Sequence, residues 1–322
     1  MIHQPIPLAE IQAAKRRIAG SAVRTPLVRL NLDDAPAEIY LKLENLQPIG
    51  SFKIRGAVNL LAQLDPAQLV DGVWTASAGN MAQALAWCAR QRGISCAVVV
   101  PETAPEAKLS AVRRFGADIV TVSPEEFFET FSSRHKEGMR GLFVHAFSDG
   151  RMMAGNGTIA LEILEDLPQV DAILVPYGGG GLTCGIACAA QAIAPKVKVF
   201  ACEPDSAKPL DHSLAAGRPV APPFQRTFID GAGGPRVYPE MFELAQRLQV
   251  ASLPVPVEKV AEAVRLLVER NHVVAEGAGA LPVAAALSGG AGTGRVCCVV
   301  SGGNIDTHVL TSILRGEILE SS

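Results

Sequence analysis

Val73-Trp74-Thr75-Ala76-Ser77-Ala78-Gly79-Asn80, then the run Met81 to Arg92, Gly93 and Ala97-Val98-Val99-Val100-Pro101, decides the fold. The first four residues read as a short strand and Ser77 to Asn80 as a turn. Met81 to Arg92 reads as a helix that Gly93 ends at its C′ position. Ala97 to Val100 is an unbroken apolar strand. The alternation repeats, with a helix over Pro105 to Phe115, a stop at Gly116 and a third strand over Ile119 to Val122. Such a rhythm belongs to a parallel sheet with helices on its faces. A helix over Pro124 to Gly138 and a strand over Leu142 to His145 complete an α/β unit over residues 72–148.

A second unit flanks it. On the N-terminal side, Leu8 to Ala19 reads as an amphipathic helix, Arg24 to Val28 as extended and Ile39 to Leu43 as strand. Leu60 to Leu69 looks helical, broken at Pro66. On the C-terminal side, Ala154-Gly155-Asn156-Gly157-Thr158 leads into a helix over Ile159 to Leu167. The strand Ala172 to Pro176 runs into Gly178-Gly179-Gly180-Gly181, a small-residue helix over Cys184 to Ile193 and a strand over Val197 to Cys202. Leu210 to Arg236 is rich in Pro and Gly and reads as loop with a short helix. Val257 to Arg270 is amphipathic, Glu276 to Ala280 opens another helix, and the strand Val296 to Val300 ends at Ser301-Gly302-Gly303-Asn304. No linker or fixed-period repeat divides the chain. It leaves one unit and returns to it, which predicts a large domain of residues 1–71 and 149–322 and a small one of residues 72–148.

Composition excludes several functions. A net charge of −3 and 5% aromatic content give no footing for nucleic acid. No apolar run is long enough to span a bilayer, and Met1 to Ile11 carries no secretory signal. Seven cysteines without a C-x-x-C pair read as buried free thiols in a reducing cytoplasm, not as a metal cluster.

The chemistry gathers at two places. Glu44-Asn45-Leu46-Gln47-Pro48-Ile49-Gly50-Ser51-Phe52-Lys53-Ile54-Arg55-Gly56-Ala57 carries two turn signals and then an apolar run, with Ser51 where a helix N-cap would sit. Lys53 then falls in the first helical turn, where the partial positive charge disfavours a cation. That field, with burial, lowers a lysine pKa and leaves a nucleophilic amine suited to a Schiff base. The four glycines 178–181, between a strand and a helix, let successive backbone N–H groups point at an anion. A dinucleotide fingerprint requires Gly at Thr183, and a P-loop requires a following Lys-Ser/Thr; both fail. A single phosphomonoester fits.

Ser51 to Ala57, Ser77 to Asn80, Gly178 to Gly181, Glu276 to Ala280 and Ser301 to Asn304, in that order, resemble the fold-type-II pyridoxal-phosphate enzymes. Within them the chain is similar to the serine/threonine dehydratase (threonine ammonia-lyase) and serine racemase branch, without a C-terminal regulatory domain. The resemblance covers essentially the whole chain. It implies two three-layer α/β domains, tryptophan synthase β-like, with mostly parallel sheets and pyridoxal 5′-phosphate between them. It implies that Lys53 joins the cofactor aldehyde, Phe52 packs on the ring, Asn80 meets the ring hydroxyl, and Gly178, Gly179, Gly180, Gly181 and Leu182 hold the phosphate. Ser301 would meet the ring nitrogen, and Ser77, Ala78, Gly79, Asn80 and Met81 would hold the substrate carboxylate. A neutral Ser301 makes a shallower electron sink than a carboxylate and favours β-elimination.

The implied reaction is dehydration and deamination of a β-hydroxy amino acid, L-threonine or L-serine by default, to a 2-oxo acid and ammonia. Met81 stands where the family often has histidine, which leaves room for a bulkier substrate such as phenylserine or hydroxyaspartate. A racemase needs a proton donor before Gly79, and the residue there is Ala78. Some members bind a divalent cation; Glu203 and Ala207 match two of its positions, but Pro209 stands at the third, with Asp205 or Asp211 as substitutes. His145, His212 and His308 read as isolated, and Glu276 as bordering the site or capping a helix. The reading from another class, a non-catalytic nucleotide-binding protein, leaves Lys53 without a purpose. The expected partner is a small amino acid, with neither nucleic acid nor membrane, and the expected assembly is a homo-oligomer, a dimer.

Overall fold

The computed structural model describes residues 4–104 and 106–317, without the side chains of Ala107 and Lys108. Its ten strands are β1 (Leu27–Arg29), β2 (Glu38–Lys42), β3 (Val73–Ala76), β4 (Cys96–Pro101), β5 (Asp118–Val122), β6 (Leu142–Phe143), β7 (Ala172–Pro176), β8 (Lys198–Pro204), β9 (Ala251–Val255) and β10 (Arg295–Val299). They form a six-stranded sheet, β1-β2-β10-β7-β8-β9, and a four-stranded sheet, β5-β4-β3-β6. Only β1 with β2 is antiparallel; every other pairing is parallel. The chain has an α/β fold with mostly parallel sheets.

Two-residue alternation makes the larger sheet the middle of three layers. Ile173, Val175, Cys297 and Val299 face a core shared with the helices Leu8–Arg17, Lys53–Leu61, Gly150–Asp166 and Gly181–Ile193. Ala172, Leu174, Val296 and Cys298 face the opposite core, with the helices Val257–Leu266 and Gly277–Leu287. The smaller sheet does the same: Val73, Val98 and Val100 face the first core, and Trp74, Ala76, Val99 and Val122 face a third. One apolar cluster therefore touches both sheets. All seven cysteines are free and buried.

Local readings diverge in four places. The helix expected from Ile159 is Gly150–Asp166, started by Asp149, whose side chain accepts from the Arg151 N–H. Its glycines are not turn signals: a Cβ at Gly155 would collide with the Arg55 carbonyl, so the residue lets two helices touch. Ser51 is not an N-cap. Phe52 holds that position, and Ser51 forms an antiparallel bridge with Gly302. The helix expected to reach Gly138 stops at Ser133, followed by Arg134 at φ 60°. The helix Pro239–Arg247 and β9 went unread, hidden behind the Pro- and Gly-rich segment. Of the helix expected over Pro105 to Phe115, Pro105 lies outside the described residues; Glu106–Arg114 is helical.

Beneath the helix Lys53–Leu61 lies a buried charge network. Arg55 (1% exposed) meets Glu44 at 2.7 Å (Nε to Oε2) and 2.8 Å (Nη2 to Oε1). It meets Glu162 at 2.7 Å (Nη1 to Oε1) and 2.9 Å (Nη2 to Oε2). Lys42 pairs with Glu162 at 2.6 Å and donates to the Thr25 carbonyl. Two cations face two carboxylates, and Thr25, Gln47 and Thr158 take remaining positions. The network ties β2, the short 3₁₀ turn Glu44–Leu46 and two helices into one foundation.

Candidate active site

The expected site residues follow the carboxyl ends of parallel strands, where open α/β sheets carry their ligands. Ser77 to Asn80 follow β3, Gly178 to Gly181 follow β7 and Ser301 to Asn304 follow β10. The Lys53 turn follows β2, the neighbour of β10. Backbone hydrogen bonds lock these loops together. The Phe52 N–H donates to the Ser301 carbonyl (2.9 Å), the Gly303 N–H to the Gly50 carbonyl (2.9 Å) and the Glu276 N–H to the Gly302 carbonyl (3.0 Å).

Lys53 opens its helix as the sequence predicts. Its side chain is half-buried, as are Ser77 to Asn80, Gly178, Gly179, Gly303 and Asn304 in the neighbouring loops. Its Nζ donates to the Ala146 carbonyl at 2.7 Å. Burial pushes the amine down to about 8, and the charge of Glu276 opposes that shift without cancelling it. Phe52 is packed alongside, its ring centroid 5.1 Å from Nζ.

Asn80 bridges the two sheets' loops. Its Nδ2 donates to Glu276 Oε1 (2.8 Å), and its Oδ1 accepts from Asn304 Nδ2 (2.7 Å). Asn304 also donates to the Ile49 carbonyl (3.0 Å). Ala78 is half-buried at the cleft. The Met81 side chain is 2% exposed and belongs to the apolar core.

The glycine turn precedes the helix Gly181–Ile193, and no side chain caps that helix. Its first-turn N–H groups have no intrahelical acceptors. Gly180 stands at φ 86°, a conformation that favours glycine. A Cβ at Gly179 would overlap the ring of Phe147, so the loop and the segment Val144 to Ser148 are packed without a gap. A half-buried amine kept from full charge and an uncapped helix N-terminus, both packed against the segment Val144 to Ser148, fit a phosphorylated aldehyde. Ser301, 2% exposed, and Leu182, 6% exposed, belong to the same loops.

A divalent cation fits less well. Glu203 accepts from the Leu210 (3.0 Å) and Asp211 (2.9 Å) N–H groups, so both its oxygens anchor the helix Pro209–Ala216. Burial raises its carboxyl to about 7. Among the described residues no group of three His, Cys, Asp or Glu side chains could hold a metal ion. Nor is any helix among them long and apolar enough to cross a membrane.

Sequence reasoning missed Ala146 and Phe147, and it took His145 to be isolated. The structure places His145 among Phe131, Phe143, Phe147 and Tyr238. No residue type announces a backbone carbonyl as a lysine's partner. A useful signal was the length of the apolar run Leu142 to Val144, which had to end somewhere inside the molecule.

Residues 18–302 match the family described as pyridoxal-phosphate dependent enzyme. The L-threonine ammonia-lyase of Thermotoga maritima is 38% identical over 321 residues, 98% of this chain and 80% of that protein. The catabolic L-threonine dehydratase TdcB of Escherichia coli K12 is 36% identical over 317 residues, 96% of each chain. Among solved structures, maize serine racemase superposes with a TM-score of 0.89 at 33% identity, covering 97% of this chain and 98% of that one.

Proposed function

The chain belongs to the pyridoxal-phosphate dependent enzymes, and from that premise we propose that it eliminates water from a β-hydroxy amino acid such as L-threonine or L-serine, giving a 2-oxo acid and ammonia. The observation that carries this reading is the Lys53 amine: half-buried, pushed down to about 8 and held by the Ala146 carbonyl. Full-length similarity to threonine ammonia-lyases supports it.

When bound, pyridoxal phosphate supplies the aldehyde that captures amines and the ring that accepts electron density from Cα. The N–H groups of Gly178 to Leu182 would hold its phosphate, and Phe52 would pack against its ring. Asn80, already shared between Glu276 and Asn304, offers its remaining Nδ2 hydrogen to the ring hydroxyl. The substrate carboxylate lies against the backbone of Ser77 to Met81, at the start of the helix Asn80–Arg92. Lys53 would supply the amine that holds the cofactor, and the same amine is the group placed to take the substrate's Cα proton. Ser301 would meet the ring nitrogen with a neutral hydroxyl in place of a carboxylate, which would leave the ring a shallower electron sink and favour loss of the β-hydroxyl as water. Ala78 has no proton to deliver to the opposite face, which separates this reading from racemisation.

We take residues 72–148 as a small domain carrying the carboxylate loop, residues 1–71 and 149–322 as the large one, and a cytoplasmic homodimer as the working form. The test is a panel of β-hydroxy amino acids, including phenylserine and hydroxyaspartate, assayed for ammonia and 2-oxo acid, with chiral chromatography of recovered serine. We expect 2-oxo acid from L-threonine or L-serine and negligible D-serine. D-serine formed as fast as pyruvate overturns the elimination reading in favour of the racemase.

A further inference from the structure

The segment Val144 to Ser148 leaves the smaller sheet and lies between Lys53, which donates to the Ala146 carbonyl, and the glycine turn, whose Gly179 and Gly181 meet Phe147. Its start is fixed: the Val144 N–H donates to the Trp74 carbonyl (2.8 Å), and its carbonyl accepts from Thr75 Oγ1 (2.8 Å). The next ring, His145, is 5% exposed. Its Nδ1 accepts from the N–H groups of Phe147 (3.3 Å) and Ser148 (3.0 Å). Both donors are main-chain amides, so Nδ1 carries a lone pair and the proton of the neutral ring sits on Nε2. The ring meets Phe147 edge-on, with centroids 4.6 Å apart and planes at 89°, and Phe131 lies 4.9 Å away on another side. Aromatic packing thus leaves the imidazole one orientation.

Between the ring and the Phe147 amide the chain contains only Ala146, and the Ser148 amide lies one residue further on. The side chain therefore closes a small loop around Ala146 and sets the plane of its peptide. We propose that His145 is a positioning residue: its neutral ring holds the turn that aims the Ala146 carbonyl at the Lys53 amine. The carbonyl receives one N–H of Lys53 at 2.7 Å. With that hydrogen fixed, the amine's remaining directions are fixed too, which is what a nucleophile and a Cα base both need. The same loop seats the Phe147 ring on Gly179, so one imidazole sets both walls of the cleft.

The effect on turnover rests on the function proposed above; the aim of the carbonyl does not, and two readouts separate them. The variants are His145→Phe, which keeps a ring without an acceptor, His145→Asn, whose Oδ1 stands near the place of Nδ1, and His145→Gln, whose oxygen lies one bond too far. The first readout is reductive methylation of the cofactor-free full chain by formaldehyde and cyanoborohydride. Mass spectrometry compares Lys53 with Lys259, whose side chain is 59% exposed. His145→Phe is expected to raise Lys53 labelling about threefold, because the ammonium form loses the acceptor that favours it. The second readout is L-threonine turnover by the holoenzyme. His145→Phe is expected to lower kcat about 30-fold with KM within about threefold. His145→Asn should restore both readouts, and His145→Gln should behave as His145→Phe and replace it if that variant does not fold. Unchanged or reduced Lys53 labelling in the variants without an acceptor overturns the proposal, as does an equal loss in His145→Asn. The expected labelling in a protein that turns over no hydroxy amino acid supports the carbonyl's aim and removes the elimination reading instead.

Discussion

Lys53 and Arg55 stand two residues apart on one helix, both cations drawn away from bulk water, and their surroundings are opposite. Arg55 is met by two carboxylates through four charge-assisted hydrogen bonds. Burial would lower its pKa, but Glu44 and Glu162 hold the guanidinium above its ordinary value. Lys53 receives one neutral carbonyl and a distant carboxylate's field, and burial prevails. Charge fully answered inside a protein becomes scaffold; charge left unanswered becomes reactivity. The two lie only about half a helical turn apart, so distance does not separate their functions. Direction does, since side chains two positions apart point to different sides.

The largest effect should come from removing the unanswered cation. Lys53→Ala is expected to lower turnover by more than about 10³-fold, because the covalent anchor and the Cα base are lost together. Borohydride treatment should fix cofactor onto the unmodified protein at Lys53 and leave the variant colourless after dialysis. Full turnover in Lys53→Ala would erase the distinction between the two residues.

Next comes the answered cation. Arg55→Met leaves Glu44 and Glu162 buried against Lys42 alone and should destabilise the fold by about 3–5 kcal/mol. Adding Glu44→Leu leaves the neutral pair Lys42–Glu162 and should recover more than half of that loss. Denaturant titration decides; a double variant as unstable as the single would mean that shape, not charge balance, holds the network.

The smallest effect is a pH dependence. The Lys53 pKa in the folded, cofactor-free chain lies near 8, below its ordinary value of 10.5. Between those values the unfolded chain holds more protons than the folded one, so stability rises with pH across that window. Below about pH 8 the folded state bears the full penalty of charging the amine. Lys53→Met should therefore raise the melting temperature of the cofactor-free chain by a few degrees at pH 7, and the gain should shrink toward pH 10.5. A gain independent of pH would assign the effect to packing.

Much of this contrast was legible in the residues. Lys53 at a helix start, the glycine run and the loop words after β3, β7 and β10 each follow from short-range rules about turns, helix ends and apolar runs. The strand Val73–Ala76 and the stop at Gly93 fall where those rules put them. The partners of Arg55 were not legible, because Glu162 is 107 residues away and nothing local marks it as buried. Gly155 and Gly157 misled for a related reason: glycine signals a turn by its own freedom, but here a neighbouring helix required its smallness. Met81 sits in the motif with its side chain buried in the apolar core, a placement no local pattern announces. Asn80's two side-chain partners come from segments about 200 residues downstream, which only the closed fold could reveal.

The strand that carries Ser301 to Asn304 is β10, the last in the chain, yet it lies between β2 and β7 in the middle of its sheet. During synthesis, β2 emerges with its future neighbour still hundreds of bases of message away. Until β10 inserts, β2 and β7 have no common partner, and the Ser51–Gly302 bridge cannot form. Until β10 is made, the nascent chain therefore carries an open sheet with exposed strand edges, a state that invites aggregation and chaperones. The turn that carries Lys53 likewise lacks its partners, the Ser301 carbonyl and Gly302, until β10 has emerged.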